Sequence, residues 1–207
     1  MNNETIRGIN LNSLMGISLH QSILKNLLDS LDNFKLSEDT IKQIHRGLMG
    51  NHFAWETEFK PELVGEYRNI PTVGSREPFF KNKEYAPHYN LEIIMSSYVD
   101  IFNTRFSKID NEDKNNHLLT NIAYFHNKFL KKIHPFADGN GRVCRIIIGA
   151  VLMKNNCPPI FPSITNQEKQ IEYISTIVKC EQNNNDELLV QYFAKGMTEY
   201  LLKRLDD

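Results

Sequence analysis

The chain has 207 residues, 41% hydrophobic and 24% charged, enough apolar material for one ordinary globular domain that needs neither disulfides nor a metal to fold. A formal charge of -1 supplies no general field for a nucleic-acid backbone or an anionic membrane, so bulk electrostatic recognition of either is not expected. Cys144, Cys157 and Cys180 are odd in number and lack metal-pair spacing, Met1 to Asn10 has no apolar signal core, and the longest apolar run, Ile146 to Met153, falls far short of the roughly 20 residues that span a bilayer; a reducing cytoplasm is the expected setting.

Most of the chain carries the helical period. Leu14, Ile17, Ile23, Leu24, Leu27, Leu28 and Leu31 recur on one side of a segment that can start at Asn12 or Ser13. A second helix is predicted from Ser37, whose side chain can accept first-turn amide hydrogens, with Leu36 and Ile41 spaced as a hydrophobic staple and Gly50 as the stop. Between Lys60 and Tyr89 the pattern fails: prolines, Gly65 and Gly74 break it up, leaving only short β-favouring pieces such as Tyr67 to Val73. A long loop or small hairpin of this kind is usually functional and is a candidate for contact with a ligand or partner. Helices are then predicted over Leu91 to Phe106, Leu118 to Ile133, about Gly141 to Lys154, Gln167 to Glu181 and Glu187 to Arg204, with Asn90, Asn116 and Asp186 as caps. Asn155 to Pro159 and Asn183 to Asn185 read as turns, and no repeat or interdomain linker interrupts the chain. One all-α domain over 1–207 is the economical reading.

The chemistry concentrates in His134-Pro135-Phe136-Ala137-Asp138-Gly139-Asn140-Gly141-Arg142-Val143-Cys144-Arg145, where one apolar helix ends and another begins. Pro135 discourages continuation of the first helix, and Gly139 and Gly141 permit turns that let several amide hydrogens converge. A helix N-terminus adds unpaired N–H donors and a partial positive charge, which suits phosphate, and Arg142 and Arg145, three apart, can both face it. Asp138 is placed to supply a carboxylate to a magnesium ion bridging phosphates, and His134, with its near-neutral pKa, to take a proton from an incoming hydroxyl. Taken singly each of these has a duller structural reading. Together a base, a carboxylate, a Gly-Asn-Gly turn and two arginines supply the parts of a phosphoryl- or nucleotidyl-transfer site.

This stretch resembles the signature of the Fic (filamentation induced by cAMP) family, His-Pro-Phe-x-x-Gly-Asn-Gly-Arg-x-x-Arg with Asp or Glu before the first Gly, and every specified position matches. The likeness extends to Ile44 to Met49, to Gly65-Glu66-Tyr67-Arg68 followed by Pro71 to Gly74, and to Pro158-Pro159, so that it covers about Leu14 to Leu202. The resemblance implies a helical bundle with a small β-hairpin flap. It also implies a protein adenylyltransferase that moves AMP from ATP to a Ser, Thr or Tyr hydroxyl of a target protein, with magnesium as cofactor. His134 would be the base, and Asp138 would hold the metal. Gly139, Asn140 and Gly141 would cradle the α- and β-phosphates, Arg142 would neutralise the leaving pyrophosphate, and Arg145 would reach the γ-phosphate. Phe136 would be buried to anchor the loop. Pro71, Thr72, Val73 and Gly74 would form the flap edge on which the target lies as an added strand.

Many members carry an inhibitory helix, Ser/Thr-x-x-x-Glu-Gly/Asn, whose Glu pairs with the residue corresponding to Arg145. No Glu of this chain precedes Gly or Asn, and the nearest N-terminal stretch, Asn3 to Gly8, has Arg7 where the Glu would be. Restraint is therefore expected from a separate antitoxin-like partner or from a helix upstream of this sequence. Two other readings stand beside the first: another Fic-type transfer, of UMP or another phosphate-containing group, and a non-catalytic module that binds a nucleotide or partner. Kinase-like relatives typically carry Lys at the second Gly, so Gly141 argues for AMP.

Overall fold

A computed structural model describes residues 5–6, 9–10, 35–50, 61–72, 83–107, 114–158 and 167–205. The helix predicted between Asn12 and Leu31 lies outside these residues. Two antiparallel two-residue strands, β1 (Thr5–Ile6) and β2 (Ile9–Asn10), pair Thr5 with Asn10 and Ile6 with Ile9. Everything else regular is helical, in agreement with the all-α expectation.

Helix α1 (Glu38–Met49) begins as its sequence dictates. Ser37 is extended and its Oγ accepts from the Thr40 amide at 3.0 Å, while Leu36 and Ile41 are both buried at the staple positions. Ile41, Ile44, His45, Leu48 and Met49 form its inward face, so that a histidine stands in an otherwise apolar stripe. Gly50 closes the helix in the right-handed conformation, its amide donating to the Arg46 carbonyl. A 3₁₀ turn (His88–Asn90) leads into α2 (Leu91–Phe106), which buries Leu91, Met95, Tyr98, Val99 and Phe102. Asn90 sits at the cap position without a capping side-chain bond, contrary to expectation. Asn103 of α2 instead ties down the approach to α1, exchanging two hydrogen bonds with the Leu36 main chain.

Helix α3 (Lys114–Asn127) starts four residues before the expected Leu118, so Asn116 lies inside it rather than capping it. It runs directly into a π-helical turn (Lys128–Ile133) in which the His134 amide donates to the carbonyl of Phe129, five residues back, at 2.8 Å. Helix α4 (Asn140–Lys154) follows, with Val143, Cys144 and Ile146 to Leu152 all buried; it is apolar on nearly every side because it is the central helix. α1, α3 and the π turn pack on α4. Two further helices, α5 (Gln167–Gln182) and α6 (Glu187–Leu205), complete the bundle, α6 packing on both α3 and α5. The expected Asp186 cap is replaced by its neighbour. Asn185 Oδ1 accepts from the Glu187 amide, and the Asp186 carboxylate accepts from Asn127 on α3.

The turns at Asn156 and Asn184 fall where predicted and place both asparagines in the left-handed region, which Asn tolerates better than most residues. The long irregular segment runs over a 3₁₀ turn at Pro61–Leu63 and then through residues without strand assignment up to Thr72. The expected flap hairpin falls largely on residues 73–82, outside those described. All three cysteines are free, and no described helix is long and apolar enough to cross a membrane.

Candidate functional site

The π turn delivers His134 to the start of the motif loop in a left-handed conformation, φ 49°. Its imidazole folds back, and Nδ1 lies 3.0 Å from the Leu130 carbonyl oxygen. A carbonyl can only accept, so Nδ1 carries the proton and Nε2 is left with the lone pair. Tyr85 stacks on one face of the ring at 4.2 Å. Burial lowers the imidazole pKa, and the positive charges of Arg68 and Lys131 push the same way against the Leu130 bond and the Asp138 carboxylate. The ring is therefore neutral at physiological pH, in the tautomer a base needs.

The loop after His134 is held by its own residues. Asn140 is buried, its Oδ1 accepting from the Phe136 amide at 2.9 Å and its Nδ2 donating to the Phe136 carbonyl at 2.8 Å. What Asn140 offers a ligand is its backbone N–H, since its side chain is spent on the loop. Phe136 is fully buried, stacked on His45 at 3.9 Å and tilted against Tyr67 at 5.6 Å, which is the anchoring place expected for it. Gly139 occupies the N-cap of α4 at φ 77°, and a Cβ there would meet Met49 Sδ at 3.0 Å and His45 Cδ2 at 3.3 Å. Only glycine satisfies both constraints.

With glycine at the cap, no side chain covers the first-turn amides of α4. The positive end of the most buried helix thus opens onto the motif loop. Arg142 pairs with Asp138 at 2.9 Å, and the absence of a Cβ at Gly141 makes room for Arg145, whose Nη1 would lie 3.3 Å from one. Both arginines therefore gather at this helix start, as their spacing suggested. Among the described residues no group of three His, Cys, Asp or Glu side chains could enclose a metal. Asp138, half exposed, is one carboxylate beside an anion site, and that donor set suits magnesium only when phosphate oxygens and water complete its shell. Of the expected flap edge, Pro71 and Thr72 are described, Pro71 exposed and Thr72 half-buried; Val73 and Gly74 lie outside the described residues.

Three further side chains build the site from a distance. His45 is fully buried: the Gly65 amide donates to its Nδ1 at 2.8 Å, so its Nε2 must carry the proton and donate to the Asp138 carbonyl at 3.1 Å. Burial pulls its pKa down to about 4, which keeps this two-sided bridge neutral. Arg68 reaches the carbonyls around His134, and Tyr85 covers the imidazole. The sequence did hold a signal for His45, a polar residue at a core-facing position between Ile41 and Met49. No local pattern marks Arg68 or Tyr85. Nearby, Glu181 at the end of α5 accepts three lysines, Lys131 at 2.9 Å, Lys132 at 3.6 Å and Lys83, which ties the far arm of the long loop to the π turn and α5.

The sequence pattern of the Fic/DOC family matches residues 35–152. The chain belongs to the Fic/DOC family. It is 28% identical over 167 residues to the protein adenylyltransferase fic-1 of Caenorhabditis briggsae, covering 80% of this chain and 28% of that protein. The protein adenylyltransferase Fic of Culex quinquefasciatus is 26% identical over 164 residues, again covering 28% of its length. The chain thus spans little more than a quarter of these relatives. Among solved structures, a Fic domain containing signaling protein from Bacteroides thetaiotaomicron superposes with a TM-score of 0.77 at 22% identity, over 96% of this chain and 74% of that one. Fic-1 (aa134–508) from C. elegans superposes at 0.68 with 20% identity, over all of this chain and 53% of that one. These structural likenesses establish the fold.

Proposed function

We propose that this chain is a protein adenylyltransferase that moves AMP from ATP to a Ser, Thr or Tyr hydroxyl of a target protein. The observation that carries the reading is the fixed tautomer of His134: a neutral imidazole with its Nε2 lone pair unused by the Leu130 bond, beside a glycine-capped helix start and two arginines. The names of the relatives support the same reaction class.

In this reading the first-turn amides of Gly139, Asn140 and Gly141 and the Arg142 guanidinium bind the phosphates, and Arg145 holds their far end. The acceptor oxygen attacks the α-phosphorus, its proton passes to His134 Nε2, and the bond from that phosphorus to the bridging oxygen breaks to release pyrophosphate. Magnesium, held by Asp138 and the phosphates, would neutralise charge on the leaving group. Tyr85 and the Leu130 carbonyl keep the imidazole from rotating. The main chain at Pro71 to Gly74 would align the target segment. An antitoxin-like partner would supply any restraint that this sequence does not.

Incubation with ATP labelled at the α-phosphate, magnesium and a cell lysate tests the reaction. His134→Ala should cut transfer at least about 10²-fold with the fold intact; undiminished transfer would remove His134 from the role. A panel of nucleoside triphosphates separates AMP from UMP transfer by the mass added to the target, and binding without any mass increase would favour a non-catalytic module.

A further inference from the structure

Arg68 is 2% exposed, yet among the described residues no carboxylate pairs with it. Its guanidinium donates only to main-chain carbonyls: Nε to His134 at 2.8 Å, Nη1 to Ile70 at 3.0 Å, and Nη2 to Ile133 at 3.3 Å and to Ala86 by a short bond. Burying a cation against neutral acceptors is expensive, and an apolar side chain would fill the same space without that cost. What the charge accomplishes is visible in which carbonyls it holds.

Two of them, Ile70 and Ala86, bracket the segment 71–85 that includes the proposed target-docking edge. The other two, Ile133 and His134, end the π turn and begin the motif loop. Main-chain bonds complete the junction: the Arg68 amide donates to Pro135 at 2.9 Å and the Ala86 amide to Lys132 at 2.8 Å. Residues 68 and 86 thus satisfy four consecutive carbonyls, from Lys132 to Pro135, that a helix end would leave orphaned. His134 itself holds a left-handed conformation unfavourable for a residue with a Cβ, and the Arg68 Nε bond to its carbonyl helps fix it.

We propose that Arg68 is a positioning residue that locks both ends of the 71–85 segment to the backbone of His134, so that a target docked on that segment presents its hydroxyl in register with the imidazole. This inference rests on the transfer reading above. The guanidinium touches neither Nε2 nor the start of α4, so its loss should act on the target and on the ring's orientation, not on nucleotide binding.

Arg68→Lys keeps the charge but cannot span four carbonyls, and Arg68→Gln serves as a second variant. Each is compared with the wild type at a temperature where melting curves show both folded. Expected are a drop of about 10²-fold in kcat/KM for the target, a KM for ATP within about twofold of the wild type, and histidine ¹⁵N signals for His134 that move from a single Nδ1–H tautomer towards a mixture. A merely structural arginine would lower the melting temperature while leaving the tautomer and the ratio of the two KM values unchanged, and that result overturns the proposal. The tautomer signal is read in the absence of turnover. A wild type that transfers no nucleotide therefore defeats the functional reading, whereas an unchanged His134 tautomer in both variants defeats the role of Arg68.

Discussion

Asn140 offers a direct test of how the motif loop is built. Its side chain pairs with both the amide and the carbonyl of Phe136, at 2.9 and 2.8 Å, in a buried place. Asn140→Ala removes two hydrogen bonds and leaves a buried N–H and a buried C=O without partners. At about 1–2 kcal/mol for each orphaned group, the loss is about 2–4 kcal/mol. For a domain of this size that corresponds to a fall in Tm of roughly 5–15 °C, within the stability of an ordinary domain. Thermal denaturation followed by circular dichroism measures it, and titration with ATP on the same samples should show weakened binding, because the amides of 139–141 lose their support. Asn140→Asp should do more harm than Ala, since a carboxylate cannot donate to the Phe136 carbonyl and adds negative charge beside the phosphate site. A Tm within about 2 °C of the wild type for Asn140→Ala, with ATP affinity unchanged, would refute the claim that this staple shapes the loop.

Gly139→Ala should cost about 2–4 kcal/mol, combining the left-handed penalty with the 3.0 Å approach to Met49 Sδ, and appears as a lower midpoint of urea unfolding. Burial holds the pKa of His45 down to about 4 and that of His126 down to about 3, so the unfolded chain binds protons more readily than the native one. Stability is therefore lost as pH falls below about 6.5. At pH 5 each histidine accounts for roughly 2 kcal/mol. Urea midpoints at pH 7.5 and 5 measure the loss, and equal midpoints would contradict it. Glu181→Gln removes the carboxylate charge shared by Lys83, Lys131 and Lys132, and should destabilise by about 2–4 kcal/mol in the same assay.

Helices were readable wherever an apolar stripe repeated: α2 has the predicted bounds, and α4, α5 and α6 differ by a residue at one end. Caps were harder, because a cap depends on backbone angles and on competing partners. Ser37 has no rival for the Thr40 amide and caps as predicted, whereas Asp186 is drawn to Asn127 and its neighbour Asn185 takes the first-turn amide. The π turn left no compositional trace, since one more residue per turn changes geometry and not residue type.

At the site, the motif from His134 to Arg145 was legible because its parts are local. His45 and Arg68 carried no such sign of their role. Their partners lie 93 and 66 positions away at Asp138 and His134, and only the folded chain brings them together. Tyr85 belongs to the same class, an aromatic residue in an irregular segment whose use is set by the ring it covers.

The π turn has a consequence for how this chain tolerates insertions and deletions. Each residue advances an α-helix by about 100°, so a deletion between Lys128 and Ile133 that restored ordinary α geometry would swing everything downstream by about that angle. Cargo-facing chemistry at position 134 then depends on chain length to a single residue, although the deleted side chain itself need touch nothing.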